Sequence, residues 1–584
     1  MKINATEINK VVYNGDADAL YKGYNKIWPL QEHYTEIVVD LNNISGNASG
    51  IFPYHLDYDV SLLEDKEASM VDWGDGTVTY GNFYHGYKTQ DIYTIKFGNA
   101  YKPGKNSTFI KCNIAVNKLN DIGYSNFDNF FEGCTNLTAG AELTIPESVT
   151  SINSMFKGCT SFNSKVNLHD GITNCSSAFE GCTSLNQPFK LPNNNSTNST
   201  CNRMFYGCTS LNSPIDTGSN KSLNYLLCGC TNFNSEITMH EGILDCQYML
   251  LNCSLFDKQI TIPSTITNCS YMFQNCTNLN STITIGENVT NCSYMFSGCK
   301  IFNKYVAIPS KVTNCSYMFQ NCSRFDQEIK IPDSVLNLEF MFSGCSAFIR
   351  PVKIPANAIS VKYLFQRCTL FNQPITIPSK VKNCYGIVQG CTRFNQPVTF
   401  EDSTTKCDCS YMFYGCSAFN QPFIMHNRIS NCSYMFYNCT KFNQPITIPN
   451  NITDCSYMFQ GCTSFNQPIE LHEGIINCSA MFAKCTKFNQ PIELREGITN
   501  CASMFQGCTS FNQPIELPLS ITRCVNMFRD CKALTSVVSN WNKTYTNSIT
   551  TTNCYISCTA IDTIDGNPGT LDDIPNTWGG RLAT

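Results

Sequence analysis

The chain has 584 residues, of which only 15% are charged, and a formal net charge of −5. It lacks the basic stripe that an electrostatic nucleic-acid binder needs and any apolar run of about 18 residues that would cross a membrane as a helix, so neither nucleic-acid binding nor membrane insertion is expected. The opening residues Met1-Lys2-Ile3-Asn4-Ala5-Thr6-Glu7 have no apolar stretch of the signal-peptide kind, and export by the usual route is not expected.

Four regions follow in order. Residues 1–34 form a short module in which Leu20-Tyr21-Lys22-Gly23-Tyr24-Asn25-Lys26-Ile27-Trp28-Pro29 reads as short strands joined by glycine turns. The module is too small to hold a core alone and needs something to dock on. It resembles the N-terminal attachment segments of phage tail and baseplate proteins. That resemblance implies an attachment role for Tyr21, Lys22, Tyr24, Lys26, Ile27 and Trp28, with other virion proteins as partners.

Residues 35–104 read as a small β domain. Val71-Asp72-Trp73-Gly74-Asp75-Gly76-Thr77 is followed by His85-Gly86-Tyr87 and then by Tyr93-Thr94-Ile95-Lys96-Phe97. This order resembles the polycystic-kidney-disease (PKD) type of immunoglobulin-like domain, which implies a small all-β sandwich. Asp72 and Asp75 are carboxylates of the type that holds calcium, but an Asp-Gly pair makes a tight turn, and the turn is the expected role.

Residues 105–560 are a repeat array. Cys134, Cys159, Cys182, Cys208, Cys230, Cys253, Cys276, Cys299, Cys322, Cys345, Cys368, Cys391, Cys416, Cys439, Cys462, Cys485, Cys508 and Cys531 form one column, mostly in steps of 23 residues. Such a period marks a stacked solenoid, each unit burying its apolar face against its neighbours. Seven residues before that column stands a second slot, filled by Cys269, Cys292 or Cys432 in some units and by Ile152, Leu223, Leu338 or Val361 in others. A slot that accepts either cysteine or an aliphatic residue is a small buried apolar site. The 36 cysteines are therefore expected as free, buried thiols suited to a reducing cytoplasm. No metal ladder is expected, because tetrahedral sites need converging ligands and no histidine joins the columns.

In the unit that begins at Asn477, the spacing of Met481, Phe482 and Cys485 predicts a short helix over 479–485, with Ser479 as its cap. Residues 491–494 alternate as a short strand, and the fold class is thus an α+β solenoid. The pattern resembles BspA-like leucine-rich repeats of about 23 residues, in which Met-Phe precedes a cysteine and Phe-Asn-Gln-Pro follows. The likeness recurs in about eighteen units over about three quarters of the chain. An asparagine after the second aromatic, as in Asn420, Asn443, Asn466, Asn489 and Asn512, gives way to Asp257 and Asp326 in two units. It reads as a ladder that satisfies turn amides. The polar stretches 193–198 and 401–405 lengthen the beat and should bulge as loops. Residues 561–584 form a C-terminal cap or tail, closure of the array being shared with Trp541, Ile561, Ile564 and Trp578.

No catalytic constellation emerges. His169, His240, His426 and His472 occupy a turn slot that other units fill with Arg495 or with Pro263, Pro309 and Pro378, and a general acid cannot be exchanged for proline. No phosphate loop, zinc motif or nucleophile elbow is present, and the chain is not expected to be an enzyme or to need a cofactor.

An aromatic column is the most suggestive feature of the array. Tyr225, Tyr248, Tyr271, Tyr294, Tyr317, Phe340 and Tyr363 recur without interruption, and Tyr411, Tyr434 and Tyr457 resume the column beyond Gly386. Stacked rings at about 5 Å intervals would form either a structural ladder or a strip on which a sugar chain could lie. Taken with the attachment-like module, the array reads as a non-enzymatic bacteriophage virion component, of tail fibre, baseplate or head decoration, that presents its surface to a host glycan or protein. A bacterial or protist cell-surface adhesin is the alternative, and self-association is open to either.

Overall fold

The computed structural model describes residues 125–579 apart from 140, 141, 195 and 197, and, before residue 125, a set of strands with a few neighbouring positions. The chain divides into two compact units, residues 1–286 and 287–584. Each is taken by itself.

In the first unit, β1 (Ala19–Lys22) and β2 (Asn25–Pro29) form an antiparallel hairpin with a register break between Leu20 and Tyr21. The β region follows with β3 (Thr35–Asp40), β4 (Tyr54–Leu56), β5 (Met70–Asp72), β6 (Val78–Tyr80), β7 (His85–Tyr87), β8 (Ile92–Phe97) and β9 (Asn113–Lys118), and β10 (Leu137–Ala139) lies in the first coil of the array. Six of these make one sheet in the order β10-β9-β3-β8-β5-β6, while β4 pairs with β7. The β9–β10 pair is parallel, with Leu137 opposite Ile114, so the sheet turns into the parallel stacking of the array at its edge. Trp73 is fully buried, and Gly76, at φ +87°, lies between the antiparallel β5 and β6. Asp75-Gly76 therefore turns the chain. Of the rest of the PKD-like signature, His85–Tyr87 forms β7 and Tyr93–Phe97 lies in β8, while Gly74 and Thr77 lie outside the described residues.

The array itself is a β-solenoid with almost no helix, which corrects the α+β expectation. The coil at 477–485 shows why. Met481, Ala483 and Cys485 donate their backbone N–H groups three residues back, to Cys478, Ala480 and Phe482, at 3.2, 3.2 and 2.9 Å. Ala480, Phe482 and Lys484 donate theirs to Ala502, Met504 and Gln506 in the next coil, at 2.8, 2.9 and 2.7 Å. A helix would need every amide turned inward along its own axis. Here alternate amides leave the coil, and left-handed residues, Ala480 at φ +51° and Lys484 at +61°, reverse the chain after each turn. Met481, Phe482 and Cys485 still point inward, so helix-like spacing arises from consecutive β-turns. Ser479 caps nothing. Its N–H donates to Asn477 Oδ1 at 3.0 Å, an Asx-turn.

The short strands occur where expected, with the expected alternation. Ile375–Ile377 pairs in parallel with Val398–Phe400, and Ile375 and Ile377 face the core while Thr376 faces solvent. Phenylalanines stack coil on coil, as in Phe459–Phe482 at 5.7 Å and Phe465–Phe488 at 6.0 Å.

The first cysteine column has a bonding role. Most of its thiols donate to a backbone carbonyl of an earlier coil, as Cys462 does to Phe436 at 3.0 Å and Cys485 to Phe459 at 3.0 Å. Cysteine is small and apolar and carries a weak donor, and a purely aliphatic residue would lose that bond. The pattern reaches one coil beyond Cys531, to Cys558, whose thiol donates to Phe528 O at 2.9 Å. Burial holds the thiols of Cys485 and Cys508 far above their ordinary pKa, and they stay protonated.

The asparagine ladder forms as read. Asn443 N–H donates to Asn420 Oδ1 at 2.9 Å, Asn466 to Asn443 at 2.8 Å, and Asn489 to Asn466 at 2.9 Å. Only the acceptor oxygen is used, which is why Asp257 and Asp326 serve equally, receiving Asn280 N–H at 2.8 Å and Ile349 N–H at 3.0 Å.

At the C-terminal end, Ser536–Val537 pairs in parallel with Thr563–Ile564, which pairs antiparallel with Asn567–Pro568. Reversal of strand direction ends the stacking pattern. Trp578 O accepts Tyr555 N–H at 3.0 Å, and the Trp578 ring lies 6.3 Å from both Trp541 and Tyr555. Among the described residues, no helix is long and apolar enough to cross a membrane.

Candidate binding surface

The tyrosine column stands at one corner of the coil, two residues after the slot that alternates between cysteine and aliphatic residues. In the coil of Cys292, Met295 N–H closes a turn on Cys292 O at 3.2 Å, with Tyr294 third in the turn at φ +58°. A type II turn reserves that place for glycine or asparagine. A bulky side chain there costs roughly 1–3 kcal/mol. Yet Tyr225, Tyr248, Tyr271, Tyr317, Tyr363, Tyr411, Tyr434 and Tyr457 all adopt it, at φ between +54° and +62°.

Stacking offsets part of that cost. In the first unit, Tyr225 lies 4.3 Å from Tyr248 with rings within 2° of parallel, and Tyr248 lies 4.4 Å from Tyr271. In the second, Tyr294–Tyr317 is 4.2 Å, Tyr317–Phe340 4.5 Å, Tyr411–Tyr434 4.5 Å and Tyr434–Tyr457 4.4 Å. Such pairs contribute about 0.5–1.5 kcal/mol each beyond burial.

The gap expected at Gly386 is closed. Gly386 takes the left-handed slot at φ +56°, and its neighbour Tyr385 puts its ring 5.0 Å from Tyr363, edge-on at 72°, and 4.9 Å from Tyr411. A Cβ on Gly386 would come within 2.5 Å of the Tyr363 ring, so the glycine makes room for the displaced aromatic. The strip is also wider there. Tyr414 and Tyr437 stack at 4.5 Å and 1°, beside Tyr411 and Tyr434. Sequence spacing hid Tyr385, one residue off the beat, and the Tyr414–Tyr437 pair, present in only two adjacent coils.

These rings are half-buried, and their faces are turned to one another. The strip therefore offers ring edges and a row of hydroxyls rather than open ring faces. Burial, reinforced by neighbouring tyrosines, raises the pKa of Tyr225, Tyr411, Tyr414 and Tyr434 and pushes Tyr385 up to about 12. At neutral pH each hydroxyl is uncharged and can both donate and accept. Cations flank the strip. The Arg203 guanidinium lies 4.1 Å from the Tyr206 ring and 5.9 Å from Tyr225, and the Lys362 ammonium lies 5.3 Å from Tyr385.

The candidate attachment residues divide differently. Tyr21 and Lys22 lie on β1 and Lys26, Ile27 and Trp28 on β2, with Tyr21 opposite Lys26 and Leu20 opposite Trp28. Tyr24 lies outside the described residues.

At one place thiols do converge, against expectation. The sulfurs of Cys384, Cys407 and Cys409 all lie within 4.8 Å of one another, and all three residues are buried. The signal in the sequence was the Cys407-Asp408-Cys409 doublet that follows the polar stretch 401–405.

Comparison with known proteins gives the following. No curated protein matches the chain. Among solved structures, it is similar to a leucine-rich repeat protein from Bacteroides ovatus, with 19% identity, a TM-score of 0.30, and coverage of 72% of this chain and 82% of that one. A leucine rich cell surface protein from Faecalibacterium prausnitzii matches with 18% identity, a TM-score of 0.25, and coverage of 74% and 94%. A family model described as "Mycoplasma protein of unknown function, DUF285" matches residues 125–240, 173–284, 244–355, 309–399, 359–472 and 472–558. Those overlapping matches span nearly the whole array, and the chain belongs to the DUF285 family.

Proposed function

We propose that the chain is a non-enzymatic display protein whose array holds the tyrosine strip out for contact with an uncharged, hydroxyl-rich ligand, a glycan of a host surface. The carrying observation is the residue type in the left-handed slot. Coils before and after the strip fill it with Ser154, Ser177 and Arg203, then with Ala480, Ser503 and Asn526, at the same φ of +51° to +58°. The backbone therefore does not require tyrosine, and stacked hydroxyl-bearing rings are what the central coils add. Neutral donor–acceptor hydroxyls in a fixed row suit a ligand that repeats hydroxyls along its length, with ring edges covering its apolar parts.

The setting we propose is a phage virion, with residues 1–34 as the docking element. The likeness of the segment around Tyr21 to Trp28 to tail and baseplate attachment segments supports it.

Binding to a glycan array tests the first part. The full chain should bind a defined set of neutral glycans, and Y411S/Y434S/Y457S should weaken that binding at least tenfold while the array stays folded. Equal binding by the triple variant would sink the ligand assignment. Mass spectrometry of purified particles tests the second, since absence of the chain from them removes the virion setting.

A further inference from the structure

Arg428 is only 1% exposed, and its guanidinium hydrogen bonds all end on backbone carbonyls: Thr405 at 3.0 Å, Glu401 at 3.0 Å, Pro378 at 3.1 Å and Val381 at 2.8 Å. Among the described residues, no carboxylate is hydrogen-bonded to it. Carbonyl dipoles and the Phe400 ring, 5.8 Å away, stabilise this buried cation, and a negative group nearby would add to them.

The thiol trio is the neighbour that can supply one. Cys407 N–H donates to Arg428 O at 2.7 Å, and the strand Cys407–Asp408 pairs with Ile429–Asn431 across a register break between Cys407 and Asp408. The break sends Cys407 into the core slot that its partner coil fills with Ile429. Cys409 keeps its place in the regular column, bonded to the next coil through Asn431 O at 3.1 Å, while Cys384 N–H reaches Asp408 O at 2.8 Å. One column thus delivers two thiols and the slipped strand inserts a third. The Cys384 and Cys407 sulfurs are 3.1 Å apart, and all three residues are 0% exposed. Among the described residues this is the only such group.

We infer that Cys384, Cys407 and Cys409 form a trigonal site for a soft, thiophilic ion, with cuprous copper as the best fit. Thiolates select Cu(I), zinc and iron–sulfur centres. Zinc takes four ligands, and the described residues supply three, inside a core closed to solvent. On binding, each thiol releases a proton to solvent as its sulfur bonds the ion, and no electron is transferred. Arg428 offsets part of the negative charge left behind. This site is independent of the tyrosine strip and of its proposed ligand.

The test uses the full chain, reduced and loaded with Cu(I) in the presence of a competing Cu(I) chelator. One ion per chain should be retained, with three sulfur neighbours in X-ray absorption. Cys407→Val introduces the aliphatic type that Ile429 already places in that slot, and it should fold and lose the ion. Cys384→Val, matching Val361 in the same column, should do the same and serves if the first variant misfolds. Cys478→Val, in the same column away from the trio, should keep the ion. Retention of copper by both folded trio variants would overturn the site. So would a preference for zinc with a fourth ligand, or a Cys384–Cys407 disulfide in protein prepared without reductant.

Discussion

The central and flanking coils of the array share one backbone and differ at one corner. Around Tyr434 and around Ser503 the same turn closes, Met435 N–H on Cys432 O at 3.1 Å and Met504 N–H on Cys501 O at 3.1 Å, with the same left-handed residue inside it. What differs is a ring in one place and a hydroxymethyl in the other. The fold sets the conformation of the corner and leaves its side chain open.

Four changes would break or sharpen that contrast. The largest effect is expected from Tyr434→Val. A β-branched residue in a left-handed slot adds strain of about 1–3 kcal/mol, and two stacking partners are lost at about 0.5–1.5 kcal/mol each. Hydrogen exchange should show coils around 411–457 opening well before those around 503–528. Equal protection in both would mean that the ladder contributes nothing to stability.

Tyr434→Ser should cost less, about 1–3 kcal/mol from lost stacking alone, because Ser503 shows that serine sits in the slot. Local exchange rates near residue 434 are again the measure. A loss as large as that of the valine variant would show that strain plays no part in the difference.

Alkali should separate the regions next. Tyr385 in the folded chain titrates at about 12, against about 10 for an unperturbed tyrosine. The folded state holds this proton more tightly, so the stability it contributes is complete below about pH 10 and is lost as pH rises towards 12. Buried thiols nearby, such as Cys391 and Cys416, act in the same direction, so the comparison is between wild type and Tyr385→Phe. The wild-type strip should open more steeply with pH above 10, and identical slopes would contradict the assignment.

The smallest effect is expected from Ala480→Tyr, which extends the stack past Tyr457. The slot is already left-handed, at φ +51°, and one added stacked pair should stabilise by at most about 1 kcal/mol, seen as slower exchange in the coil at 478–485. Destabilisation would mean that the strip ends there for want of room.

The beat, the asparagine ladder and the Asp75-Gly76 turn were legible because each rests on one residue type meeting one repeated need. The helix was misread because turns reversing every fourth residue bring Met481, Phe482 and Cys485 inward just as a helix would. A corrective signal stood one residue before most of the column cysteines, where Gly298, Asn321, Gly344, Gly390, Asn438 and Gly461 supply the residue types that tolerate positive φ. The strip was legible as a column but not as a surface, because spacing does not say which way ring faces turn. The thiol trio depends on a one-residue slip at Cys407, visible in sequence only as an interruption.

The asparagine ladder also bears on inheritance. Each Oδ1 reaches only the coil 23 residues away, so no bond in the ladder counts how many coils there are. Copying or deleting one whole repeat, about 69 bases of the gene, leaves the reading frame and every neighbour relation intact. The strip can therefore lengthen or shorten by one hydroxyl at a time through slippage between similar repeats. Isolates should differ in coil number within the strip more readily than in the sequence of any single coil.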